Sequence, residues 1–170
     1  QEIQELTLER LLDPEATSVD FFNEFASLTL GSGAAAMVLG RTDHHPEGHR
    51  VVGGVARAGT EHHDLCVGDM QRMRTDTKGL MDAGLDLAEA AWRDAADEFG
   101  WADADRFILH QVSQVHTSAL CQRLGIDRDK VPLSFPHYGN IGPASVPFTL
   151  ALEVDKLAPG DRVLCMGIGS

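Results

Sequence analysis

From residue 50 onward, short apolar runs alternate with longer stretches in which apolar residues recur at helical spacing. This alternation restricts the chain more than any single motif. The runs are RVVGGVARAG, RFILH, VPLSF and RVLCMGIG, and the intervening stretches give the order β-α-β-α-β-α-β. Such an order predicts an α/β fold, with helices on both faces of a sheet and at least some parallel strands, because a crossover helix returns the chain to start a strand in the same direction.

The longest helical stretch, residues 75–99, aligns Leu80, Gly84, Leu87, Ala91, Ala95 and Phe99 on one stripe and sets Asp82, Asp86, Glu89, Arg93 and Asp97 elsewhere, with Gly100 to close it. Its acidic side is most simply a solvent face, and alternatively a contact for a partner. Ser113 is placed to cap a second helix carrying Val115, Leu120 and Leu124 and ended by Gly125. A third is predicted over residues 144–157, followed by an APGD turn. Upstream, Ile3, Leu6, Leu8 and Leu11 or Leu12 predict a short amphipathic helix that the Asp13-Pro14 pair ends. After the aromatic patch FFNEF, the run LTLGSGAAAMVLG reads as a strand buried on both faces. RTDHHPEGH has turn composition, and residues 59–73 read as a long polar loop.

A chain of 170 residues, 43% of them hydrophobic, is long enough for one domain with a sizeable core. Its 14 Lys and Arg against 26 Asp and Glu leave a net charge of −12, which repels phosphate backbones and anionic membrane surfaces and disfavours nucleic-acid binding. No apolar run is long enough for a membrane span. Cys66, Cys121 and Cys165 are odd in number and lack C-x-x-C spacing, in a chain without signal-peptide pattern, so a reducing cytoplasm is expected.

In open α/β sheets, ligand sites gather at the carboxyl ends of strands. Three such ends carry His110, Asn140 and Ser170. Taken alone, His110 reads as a strand-end imidazole bonded to backbone, and Asn140 as a left-handed turn residue. Taken together, two N–H donors at neighbouring strand ends beside a helix N-terminus form an oxyanion-stabilising arrangement suited to carbonyl or enolate chemistry. The cluster His44, His45, His49, His62, His63 and Cys66 has the chemistry of a zinc site but not the usual ligand spacing, and is expected to be solvated surface with no metal.

The order ILHQ, a helix ending in LGI, YGNIGPASVP and LAPGDRVLCMGIGS resembles the C-terminal half of thiolase-fold condensing enzymes of the ketoacyl synthase III type. LTLGSGAAAMVL and GNIGPAS are most similar to the branch that joins two fatty acyl chains head to head in long-chain olefin biosynthesis. The resemblance implies a thiolase-like layered αβαβα fold, of which this chain supplies mainly the C-terminal half. Residues 1–49 would be the end of the N-terminal half, and residues 50–170 the C-terminal half without its last strand.

By the same resemblance, His110 and Asn140 match the histidine and asparagine of a Cys-His-Asn site that hold the thioester oxygen and the enolate. Ser170 falls in a glycine-rich turn whose backbone N–H serves the other oxyanion hole. None of the three cysteines matches the nucleophile, since Cys121 lies in a predicted helix, Cys165 in a predicted buried strand, and Cys66 in a loop. The expected partner is therefore an N-terminal half carrying the catalytic cysteine and a glutamate base, the chain being a fragment or one part of a split enzyme. The complete enzyme is expected to be a homodimer acting on acyl-CoA or acyl carrier protein thioesters without a cofactor. The alternatives are a decarboxylative malonyl condensation within the same class, and a non-catalytic thiolase-like subunit or interaction module.

Overall fold

The computed structural model describes residues 2–69 and 71–169. Helix α1 (Glu2–Leu11) ends where expected, just before Asp13-Pro14. The aromatic patch belongs to helix α2 (Ser18–Leu28), which a reciprocal capping box between Thr17 and Asp20 begins. Residues 59–73 are less irregular than their composition suggests, because strands β1 (Cys66–Gly68) and β2 (Met73–Thr75) form an antiparallel hairpin there. Glu24, 1% exposed on α2, joins these pieces. One carboxylate oxygen takes Arg10 of α1 at 2.7 Å and the other takes Arg72 of the hairpin turn at 2.8 Å.

Helix α3 (Thr77–Phe99) starts on the Asp76 side chain and stops at Gly100, whose φ of 60° is the left-handed conformation that glycine adopts without strain. Its buried face is Gly84, Leu85, Ala88, Ala95 and Ala96, rotated slightly from the predicted stripe. Strand β3 (Arg106–Leu109) pairs in parallel with β4 (Val163–Met166), Phe107 opposite Leu164 and Leu109 opposite Met166. Helix α4 (Gln114–Leu124) is capped by Ser113 and closed by Gly125, as its sequence predicts. Leu85 and Ala88 of α3, Phe107 and Leu109 of β3, and Leu120, Cys121 and Leu124 of α4 form the core with Ala104, Ile126 and Val131. Arg123 of α4 bonds Glu89 and Asp86 of α3 across the outer side of this contact.

Three predicted strands are absent from the described residues. VPLSF reaches its helix early: α5 (Phe135–Tyr138) begins inside the run, and the N–H groups of Ser134 and Phe135 bond the Gln111 side chain instead of a neighbouring strand. LTLGSGAAAMVLG contributes a single parallel bridge, Leu30 to Asn140, and then runs exposed, with Val38 at 99%. RVVGGVARAG likewise forms no ladder, and Val51 and Val52 are exposed. A strand needs a neighbour for its N–H and C=O groups, and beyond the Leu30–Asn140 bridge no described residue pairs with either run. Cys165, predicted to be buried, is exposed although its strand β4 pairs with β3. Helix α6 (Ser145–Glu153) lies inside the predicted 144–157 span, with single 3-10 turns on either side.

The Leu30–Asn140 bridge requires two backbones to approach closely. A Cβ at Gly31 would lie 1.8 Å from the Tyr138 carbonyl oxygen, and one at Gly139 would lie 2.9 Å from that of Thr29. Gly139 also has φ 69° and ψ −170°, a region open essentially to glycine alone. Gly139→Ala is expected to cost at least about 1–3 kcal/mol. Denaturant titration would show this as a lower midpoint at unchanged slope, and an unchanged midpoint would contradict the packing described.

Candidate active site

His110 follows the last residue of β3, and its backbone N–H extends the ladder to the Met166 carbonyl at 2.8 Å. The ring is half-buried. Its Nδ1 lies 2.7 Å from Oγ of Ser145, a fully buried residue at the first position of α6. Burial, and secondarily the neighbouring His116, pushes the His110 pKa below its ordinary 6.5, and burial does the same to His116. At neutral pH the His110 ring is therefore uncharged, with one nitrogen donating and one accepting.

Asn140 is held through its backbone and aimed through its side chain. Its N–H donates to the Thr29 carbonyl at 2.9 Å, and its carbonyl accepts from Gly31 N–H at 2.8 Å. Its Oδ1 accepts from Gly142 N–H at 3.0 Å, which orients the amide, and among the described residues Nδ2 has no acceptor. Positive φ is confined to glycines among the described residues, including Gly139 and Gly142 on either side, so Asn140 is not the left-handed turn residue of the simpler expectation.

Two further residues bring these turns together. Gln111, buried beside His110, accepts from Ser134 N–H at 2.8 Å and donates to the Leu109 carbonyl at 2.9 Å, so the end of β3 is tied to the loop that leads to Asn140. Ser145, five positions after Asn140, returns the same loop to His110. Neither stood out in the sequence. The available signals were a polar Gln directly after an apolar strand, and a serine inside the otherwise apolar PASVPF.

Ser170, the third expected site residue, lies outside the described residues. Cys66 sits in β1, its Sγ 3.4 Å from Thr75 Oγ1. Cys121 is inside α4, with its thiol pKa pushed up by burial. His44, His45, His49, His62 and His63 are exposed, and no group of three potential metal ligands occurs among the described residues. His110 and Asn140 each carry neutral N–H groups, the kind of donor that can hold a negatively charged oxygen.

Residues 95–170 match the family described as 3-oxoacyl-[acyl-carrier-protein] synthase III C terminal. Over 172 residues the chain is 46% identical to an acyl-CoA:acyl-CoA alkyltransferase of Xanthomonas campestris pv. campestris, covering 99% of this chain and 51% of that protein. It is 33% identical over 192 residues to an alkyltransferase of the same description from Shewanella oneidensis, covering 100% of this chain and 53% of that one. A crystal structure of a cysteine-to-serine variant of Xanthomonas campestris OleA with bound lauric acid and lauroyl-CoA superimposes with a TM-score of 0.91 at 46% identity, covering 96% of this chain and 50% of that one. The chain thus spans about half the length of the relatives it matches.

The buried imidazoles make stability depend on pH. Because the folded-state values of His110 and His116 lie below the ordinary 6.5, the unfolded chain binds more protons. Their contribution is fully present above about pH 6.5 and is lost as the pH falls below it. Unfolding free energies measured at about pH 7.5 and about pH 5.5 should differ less in His116→Gln than in the parent. Equal differences would show that His116 is not buried as the neutral form.

Proposed function

We propose, from the match of residues 95–170 to the 3-oxoacyl-[acyl-carrier-protein] synthase III C-terminal family and from the thiolase-like fold shared with the OleA structures, that the chain is part of an acyltransferase that condenses two fatty acyl thioesters. One observation carries this reading. The Asn140 amide has its oxygen engaged by Gly142 N–H and its Nδ2 bonded to none of the described residues, on a turn whose next helix touches His110.

In the proposed reaction a cysteine thiolate of the remaining half of the enzyme attacks the first acyl-CoA and expels CoA as thiolate. A glutamate of that half removes an α-proton from the second acyl thioester. The enolate attacks the enzyme-bound acyl carbon, the carbon–carbon bond forms, and the cysteine leaves as thiolate, giving a β-ketoacyl thioester. His110 and Asn140 donate hydrogen bonds to the enolate oxygen. A backbone N–H at Ser170 serves the tetrahedral intermediate on the cysteine. No cofactor is required beyond the thioester substrates. A homodimer of the complete enzyme in the cytoplasm completes the proposal, and three free cysteines are in keeping with that compartment.

The family match also favours a second reading, in which the nucleophilic carbon arises by decarboxylation of a malonyl group on acyl carrier protein. It retains His110 and Asn140 in the same roles but releases carbon dioxide.

In the complete enzyme, Asn140→Ala should slow condensation roughly 10²-fold or more while acyl transfer to the cysteine is largely preserved. His110→Ala should act on the same step, and the double variant should lose less than the sum of the two if both donors grip one oxygen. Rapid-quench measurement of acyl-enzyme and product separates the steps. An Asn140→Ala enzyme that is slowed in neither would overturn the proposal.

A further inference from the structure

We infer that Ser145 is the positioning residue that makes His110 a hydrogen-bond donor, by giving its hydroxyl proton to Nδ1 and thereby holding the ring proton on Nε2. The inference deepens the proposed role of His110 and rests on it for its catalytic consequence, though not for the proton's position.

The direction of the 2.7 Å contact follows from counting protons. Ser145 is 0% exposed, and among the described residues its Oγ bonds only His110 Nδ1. If Nδ1 carried the ring proton and donated it to Oγ, the hydroxyl proton would have no acceptor at a site closed to water. With the hydroxyl donating, every group at the contact is satisfied. The neighbouring bonds prevent the hydroxyl from turning to a different partner. The Thr149 hydroxyl already donates to the Ser145 carbonyl at 2.7 Å, and it therefore accepts from Ser134 Oγ, also at 2.7 Å. Thr149 and Ser134 are buried too, with their hydroxyls engaged with each other and with the Ser145 carbonyl.

The consequence lies at the other side of the ring. Nε2 bonds no described residue, and the ring is half-buried, so of its two nitrogens Nε2 is the one that Ser145 leaves for a ligand. A proton there makes the imidazole a donor without a positive charge, as is the Asn140 amide. Without Ser145 the neutral ring would divide between its two tautomers, and in one of them Nε2 would present a lone pair to the enolate oxygen.

The test uses the complete enzyme labelled with ¹⁵N-histidine, with the His110 ring signals assigned by their loss in His110→Asn. Long-range proton–nitrogen correlation should show His110 protonated at Nε2 in the parent and in Ser145→Thr, and divided between Nδ1 and Nε2 in Ser145→Ala. Ser145→Ala should also slow condensation roughly tenfold, less than removal of a donor itself, with acyl transfer unaffected and Ser145→Thr restoring the rate. A parent ring protonated at Nδ1, or an Nε2 proton undisturbed in Ser145→Ala, would overturn the inference whatever the rates. A tautomer shift with no change in condensation would uphold the inference and remove the proposed role of His110. If Ser145→Ala does not fold, the parent spectrum alone still decides where the proton resides.

Discussion

The structure around the site depends on one buried amide. Gln111 accepts from Ser134 N–H and, more weakly, Phe135 N–H through Oε1, and donates to the Leu109 carbonyl through Nε2. It thereby does for residues 131–134 what a neighbouring strand would have done, and lets an apolar run lie against the end of β3 without joining the sheet. The bonds continue from Ser134 Oγ to Thr149, from Thr149 to the Ser145 carbonyl, and from Ser145 Oγ to His110, the residue next to Gln111. The series returns to its starting point only through the backbone between His110 and Gln111, and breaking any one of its bonds leaves a buried polar group unmatched.

Where the sequence was legible, local chemistry and tertiary packing agreed. Gly100 at the end of α3, and Ser113 with Gly125 around α4, were readable because capping depends on neighbours a few residues away. RFIL and VLCM became the parallel pair β3 and β4. The runs that failed share a different property. Apolar content said that residues 33–40 and 50–58 belong in an interior, but a strand is a relation between two segments, and the partner is not written in the run itself. VPLSF failed because a side chain remote in sequence, Gln111, took the bonds a ladder would have used.

The same contrast applies to the candidate site. His110 was visible because it ends an apolar strand, and Asn140 because glycines bracket it. Their orientation was not visible. It rests on Gly142 N–H for the amide and on Ser145 Oγ for the imidazole, each a contact whose meaning depends on a three-dimensional turn. Glu24 is a comparable case outside the site: a glutamate on an aromatic helix gives no sign that it will be buried between Arg10 and Arg72.

The bridge from Leu30 to Asn140 joins segments far apart in sequence. Contacts of such separation are made late in folding, since the entropy of closing the intervening loop must be met before the pairing returns any stabilisation. During synthesis the carbonyl of Thr29 and the N–H of Gly31 leave the ribosome long before Asn140 exists to bond them. Neither Leu30 nor Asn140 belongs to the core that α3, β3 and α4 form, so packing of that core does not by itself set the Asn140 turn.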